Sequence, residues 1–339
     1  MSRADLSTLP DDLKIRTRLA GIMNRVFRAA PRSRVCTVLA AAVVVVLALA
    51  AFSPTGTDSV RVTPAAQPVY PQVKTYPHIR VQENIDYSPS VGAPRQLDVC
   101  LPSKRDPSRA AILSIHGGSW RAGDKANINW RSVCQWLASE GFVVFSVDYR
   151  LAPQFPFPSA IDDVRSAVRF MRDPKTVKRD DIDPHRIGAF GGSAGGNLTA
   201  LLGAGGVGGW TTGSRVAAVA ELSGPIDLTA AGAKLGHVAP EFQQLELEYL
   251  GCARLADCPQ AEAASPLYQV DDSDPPFFIG HSLDERIPLA QSKAMVRALR
   301  AHGVDTTFVT VKGTLHSIAM LNRDMRSRIA TFLHAKLDG

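Results

Sequence analysis

Ser193 lies in Gly191-Gly192-Ser193-Ala194-Gly195-Gly196, between a strand-like run, Arg186 to Phe190, and a helix-like run beginning near Ala194. A serine hydroxyl is a poor nucleophile at its free pKa, and enzymes activate it by exposing it on a sharp turn beside a base. Glycines two positions either side permit that turn, where a bulkier side chain would strike neighbouring backbone. Three other segments carry the remaining parts of an acyl-transfer site. His116-Gly117-Gly118-Ser119-Trp120 offers unencumbered amides, so Gly117, Gly118 and Ala194 form a candidate oxyanion hole. Asp284 follows the apolar run Phe277 to Gly280, and His316 follows Thr307 to Val311. In this reading His316 is the base that takes the Ser193 proton, and Asp284 orients its imidazole. Glu285, adjacent, and Asp227, after an earlier strand, are the rival acids. His116 reads as a residue that orders its loop, and His281 as turn filler rather than a second base.

The elements that must hold these groups follow from hydrophobic patterning. Strands are expected at Gln96 to Leu101, Ala111 to Ile115, Phe142 to Asp148, Arg186 to Phe190, Val216 to Leu222, Phe277 to Gly280 and Thr307 to Val311. Most are continuous apolar runs, as in strands covered on both faces. Helices are expected at Ile128 to Ser139, Ser159 to Met171, Ala194 to Leu202, Leu289 to His302 and Leu321 to Lys336. Alternation of the two predicts an α/β fold, with a mostly parallel central sheet and helices on both faces. Residues 224 to 264 break the alternation and are expected to form a small cap over the site.

The 339 residues suit one large α/β core with an appendage. The formal charge of +6 is concentrated at the N-terminus, where residues 1 to 34 hold 8 Lys/Arg against 3 Asp/Glu. The rest is close to neutral with no basic stripe, which argues against nucleic acid as a partner. Val35 to Phe52 is 18 residues without a charge, enough to span a bilayer as a helix. Arg25, Arg28, Arg32 and Arg34 would hold the N-terminus in the cytoplasm and place everything after Phe52 on the outer face. The alternative is a cleaved signal peptide, with Ala48-Leu49-Ala50 as cleavage site. Residues 53 to 78, rich in proline, read as a linker, and the catalytic domain as 79 to 339.

Of five cysteines, Cys252 and Cys258 bracket a short loop and are a candidate disulfide in an oxidising compartment, against the alternative of two free thiols. Cys100 and Cys134, in an expected strand and helix, read as buried thiols. No His/Cys spacing implies a metal, and no phosphate loop or dinucleotide fingerprint implies a cofactor. Oligomeric state leaves no trace in the sequence.

From about residue 80 to the C-terminus the chain resembles the α/β-hydrolase superfamily, in its esterase/lipase branch, which includes hormone-sensitive-lipase-like and feruloyl- or acetyl-xylan-esterase-like enzymes. His116-Gly117-Gly118 resembles the oxyanion motif of that branch. Val147-Asp148-Tyr149-Arg150-Leu151-Ala152-Pro153, Phe157-Pro158-Ser159-Ala160 and Asp183-Pro184-His185-Arg186-Ile187 are similar to its flanking segments. The chain order Ser, Asp, His matches as well. Ser119 departs from the pattern by standing where many relatives have a third glycine. Gly280-His281 departs by standing where relatives often carry His-Gly before the acid. The resemblance implies a serine carboxylic-ester hydrolase that works through an acyl-enzyme, on small-molecule, lipid or polymer-linked esters. A peptidase or amidase with the same triad, or a catalytically silent binding module, are the competing readings.

Overall fold

The apolar runs form the centre of one eight-stranded sheet of order β1-β2-β4-β3-β5-β6-β7-β8. A computed structural model of the chain describes residues 70, 73–88, 95–104, 107, 109–206 and 208–338. The expected basic segment, the membrane anchor at 35–52 and most of the linker lie outside them. Among the described residues no helix is long and apolar enough to cross a membrane.

The strands are β1 (Arg80–Asp86), β2 (Gln96–Leu101), β3 (Ala111–Ile115), β4 (Val143–Val147), β5 (Ile187–Gly192), β6 (Ala218–Leu222), β7 (Phe277–Ser282) and β8 (Thr306–Val311). β2 runs antiparallel to both β1 and β4, while the pairings from β4 through β8 are parallel. The sequence reading did not anticipate β1. Its residues Arg-Val-Gln-Glu-Asn-Ile-Asp are largely polar, because an edge strand with a partly exposed pattern needs few apolar side chains.

Among the described residues the helices are α1 (Ile128–Ser139), α2 (Ser159–Met171), α3 (Pro174–Asp180), α4 (Ala194–Ala204), α5 (Ala230–Lys234), α6 (Pro240–Leu250), α7 (Leu289–Ala301) and α8 (Arg323–Leu337). Strand residues alternate between two cores. Leu113 and Ile115 pack with Ile161, Val164 and Val168 of α2 and Leu198 and Leu201 of α4, while Ile112 faces Val133 and Leu137 of α1 and Leu333 of α8. Helix α2 shows the amphipathic spacing, burying Ala160, Ile161, Val164, Ala167, Val168 and Met171. Helix α4 is buried at every residue, as a helix clamped between sheet and cap must be. The stretch expected to form a cap holds the short helices α5 and α6, which the sequence reading did not resolve.

Two disulfides tie the described residues together. Cys252 and Cys258 are joined, their Cα atoms 5.6 Å apart. Cys100 and Cys134 are also joined, with Cα atoms 5.9 Å apart, so reading them as buried thiols was incorrect. Cys100 lies on the β2 face that α1 covers and Cys134 on the buried side of α1, so only the packing of helix on sheet brings them together.

The register aligns the carboxyl ends of the parallel strands. Ile115 pairs with Gly191, Gly192 with Leu222, Leu222 with Gly280, and Ser282 with Val311. The loops after β3, β5, β6, β7 and β8 therefore leave from one edge of the sheet, where ligands of open α/β sheets gather.

Candidate active site

Ser193 joins β5 to α4 with φ 58° and ψ −126°, a conformation uncommon for any residue but glycine. Its amide donates to Leu222 O at 2.8 Å, and its carbonyl accepts from Asn197 N at 3.0 Å. The flanking glycines make room for this turn. A Cβ on Gly191 would lie 2.2 Å from Thr199 Oγ1, and one on Gly195 would lie 2.1 Å from Ile115 O. The oxyanion segment approaches as closely, since a Cβ on Gly117 would meet Gly192 O at 2.7 Å and the Ser193 Cβ at 3.2 Å. Among the described residues no loop carbonyl or side chain takes the amide hydrogens of Gly117, Gly118 or Ala194. Three donors thus stay available beside the serine. Ser119 and Trp120 hold φ of 53° and 57°, so the chain keeps the bend of a glycine-rich loop at two non-glycine positions.

His116 lies in the core under the oxyanion segment. Its ring is buried and stacked on Tyr149 with centroids 4.3 Å apart, and its Nδ1–H donates to Gly117 O at 2.9 Å. Burial lowers its pKa, and the Gly117 carbonyl and the Asp148 charge only partly oppose this. Tyr149 in turn donates to His116 O at 2.9 Å. The Asp-Tyr-Arg segment is locked to α2 by Arg150, whose guanidinium meets the fully buried carboxylate of Asp163 at 2.8 Å.

His316 follows β8, and its Nδ1 bonds the Oε2 of Glu285. The acid at the imidazole is therefore Glu285, and the assignment to Asp284 is corrected. The β7–β8 ladder explains the difference: it continues past Ser282 through Leu283 N to Val311 O at 2.9 Å and Asp284 N to Gly313 O at 3.1 Å. Asp284 is thereby held at the rim with its side chain exposed, and Glu285 is the first residue free to turn inward. The Glu285 side chain is fully buried and also accepts from Ser223 Oγ at 2.5 Å and from Ser282 N at 3.3 Å. Ser223 accepts in turn from Ser317 N at 3.0 Å, which ties the residue after His316 to the same carboxylate. Asp227, the other rival, accepts from the amide and hydroxyl of Thr229, the residue that caps α5, and makes no bond to His316.

Ser193 and His316 line one cavity of about 420 Å³ together with Gly117, Gly118, Tyr70 and Leu245. Tyr70 belongs to the proline-rich 53–78 segment and Leu245 to α6, so residues from that segment and from the 224–264 stretch both shape the cavity. Trp120, next along from Ser119, does not line the cavity: it is fully buried, stacked on Tyr249 at 4.3 Å and donating to Asn197 Oδ1 at 3.3 Å.

A family model, BD-FAE, matches residues 97–299. The chain belongs to the BD-FAE family. Among curated relatives, neutral cholesterol ester hydrolase 1 of Mus musculus is 38% identical over 103 residues, 30% of this chain and 25% of that protein. Esterase LipC of Mycobacterium tuberculosis is 32% identical over 259 residues, 67% of this chain and 61% of that protein. The chain thus spans about a quarter of the first of these relatives and less than two thirds of the second. Among solved structures, a truncated carbohydrate esterase from gut microbiota is 26% identical with a TM-score of 0.65, covering 77% of this chain and 97% of its own. This BD-FAE member accordingly has the α/β-hydrolase fold, with a mostly parallel sheet and helices on both faces.

Two buried groups next to the acid complete the electrostatics of this BD-FAE site. His281 accepts at Nδ1 from Ser292 Oγ at 2.7 Å and donates from Nε2 to Ile287 O at 2.9 Å, with Glu285 Oε1 3.3 Å away. Burial lowers its pKa more than the Glu285 charge raises it, so the ring stays neutral and braces the acid loop. Glu221, on β6, is pushed up to about 8, chiefly by burial, with the Gly224 amide opposing and the Glu285 charge adding to the rise. A protonated Glu221 leaves Glu285 without a second negative charge beside it at neutral pH. Among the described residues no group of three or more His, Cys, Asp or Glu side chains is placed to hold a metal ion.

Proposed function

We propose that the chain is a serine carboxylic-ester hydrolase with Ser193 as nucleophile, His316 as base and Glu285 as the orienting acid. The observation that carries this is the Glu285–His316 bond at the rim of a cavity that Ser193, Gly117 and Gly118 also line. With Nδ1–H held by Glu285, the imidazole keeps Nε2 as its basic nitrogen, the tautomer that can take the serine proton. The Ser193 oxygen attacks the ester carbonyl as its proton passes to His316. The amides of Gly117, Gly118 and Ala194 then stabilise the tetrahedral oxyanion, where one such donor is worth roughly 3 kcal/mol. Collapse breaks the acyl C–O bond, and His316 returns the proton to the departing alcohol. A water molecule, deprotonated by His316, attacks the acyl-enzyme and releases the acid with Ser193 restored. The names of the relatives, which include esterases and an ester hydrolase, support ester chemistry.

The full chain should react covalently with a fluorophosphonate probe and hydrolyse p-nitrophenyl acetate, and Ser193→Ala should abolish both. Equal behaviour of wild type and variant would end this reading. We place the catalytic domain on the outer face of the cytoplasmic membrane, anchored through 35–52, with secretion after signal cleavage as the alternative. Two disulfides support an oxidising compartment. Protease treatment of intact cells distinguishes the cases: an anchored outer domain is digested while membrane-bound, a secreted one is recovered from the medium, and a protected one refutes both.

A further inference from the structure

The cavity at Ser193 has an unbalanced charge. Its lining includes two guanidinium groups, Arg121 and Arg286, and no Asp or Glu among the described residues. Arg121 is balanced by Glu248, whose Oε2 lies 3.1 Å from its Nη1. No carboxylate of the described residues lies at ion-pair distance from Arg286, whose guanidinium rests over the ring of Phe242, 5.4 Å from its centroid. Phe242, on α6, is 2% exposed, so the platform under the cation is fixed in the core. Arg286 is also placed by the acid itself. Glu285 turns its side chain wholly into the protein towards His316 and Ser223, and the next side chain along the chain emerges on the cavity side. Tyr70 lines the same cavity, where burial raises the pKa of its hydroxyl and the Arg286 charge opposes the rise.

A guanidinium offers a planar pair of donors that fits a carboxylate or phosphate with two parallel hydrogen bonds. We propose that Arg286 selects ester substrates that bear a second, anionic group, such as a half-ester of a dicarboxylic acid, binding that anion while Ser193 attacks the ester carbonyl. This rests on the ester-hydrolase reading above. Arg286 takes no part in bond making or breaking, so its effect falls on binding rather than on turnover.

The test uses the full chain and a matched pair of esters, mono-p-nitrophenyl glutarate and neutral p-nitrophenyl valerate. The ratio of their kcat/KM values, anionic over neutral, should fall about fivefold in Arg286→Gln, an effect scaled to one exposed charge pair, and appear in KM for the half-ester. Arg286→Lys, which keeps the charge but not the paired donors, should lower the ratio less than Arg286→Gln does, and about 0.5 M NaCl should lower it in the wild type. An unchanged ratio in Arg286→Gln, or an equal fall in the Gln and Lys variants, overturns the inference. Calorimetric titration with glutarate reads the anion site without turnover: the wild type should bind it and Arg286→Gln should bind it about fivefold more weakly. Absence of wild-type binding, or equal binding by both, likewise overturns the inference. A wild type that binds glutarate through Arg286 yet hydrolyses neither ester overturns the hydrolase reading instead.

Discussion

Glu285→Gln removes one negative charge and replaces one carboxylate oxygen with an NH2 group. The two oxygens of Glu285 divide their partners: Oε2 meets His316 Nδ1, while Oε1 accepts from Ser223 Oγ at 2.5 Å and Ser282 N at 3.3 Å. Ser223 Oγ already accepts from Ser317 N, so its hydrogen is committed to Oε1. Turning the amide NH2 towards that side would face it with two donors, and turning it towards His316 faces it with one. The amide therefore settles with NH2 towards His316, which then accepts at Nδ1 and carries its hydrogen on Nε2. In that tautomer it cannot take the serine proton. The same change of acid to amide in a serine triad costs roughly 10⁴ in kcat, and a loss of 10³ to 10⁴ is about 4–5.5 kcal/mol of barrier. Asp284→Asn, at an exposed position outside this network, should change activity by no more than about twofold. The assay is kcat/KM for p-nitrophenyl acetate beside thermal melts that confirm folding. Glu285→Gln within tenfold of wild type, or Asp284→Asn losing over a hundredfold, would refute the assignment.

The contribution of Glu221 and Glu246 to stability should fall as pH rises from about 4.5 to about 8, because each is pushed up to about 8, mainly by burial. Below the usual carboxyl pKa both states hold these protons. Within that window the unfolded chain has released them and the native one has not, costing about 1.4 kcal/mol per pH unit and carboxyl. Glu221→Gln should therefore lose less stability than wild type between pH 5 and pH 8 in urea titrations, and an equal or greater loss would contradict this. Loop-closure entropy over a separation of 34 residues makes the Cys100–Cys134 bridge worth about 4 kcal/mol, and the separation of 6 makes Cys252–Cys258 worth about 2. Paired Cys→Ala variants should rank in that order by urea midpoint, and the reverse order would show that local packing outweighs loop entropy.

The sequence by itself determined the parts whose information is local. The elbow at Ser193 was legible because the glycines needed for a strand-to-helix turn sit beside the serine, and the central strands because burial on both faces demands unbroken apolar runs. Where the information is relational, only the tertiary structure decided. Asp284 and Glu285 differ by one position, and the choice between them rests on how far the β7–β8 ladder runs before the chain turns inward. Cys100 and Cys134 became partners because α1 lies over β2, a contact with no local signature. Strand β1 escaped notice because an edge strand takes its order from its neighbour's hydrogen bonds rather than from its own side chains. The charge of Arg286 acquired a direction only when its neighbour Glu285 was drawn into the core and left it at the cavity. Spacing along a chain specifies which groups are present, whereas register and packing specify which of them meet.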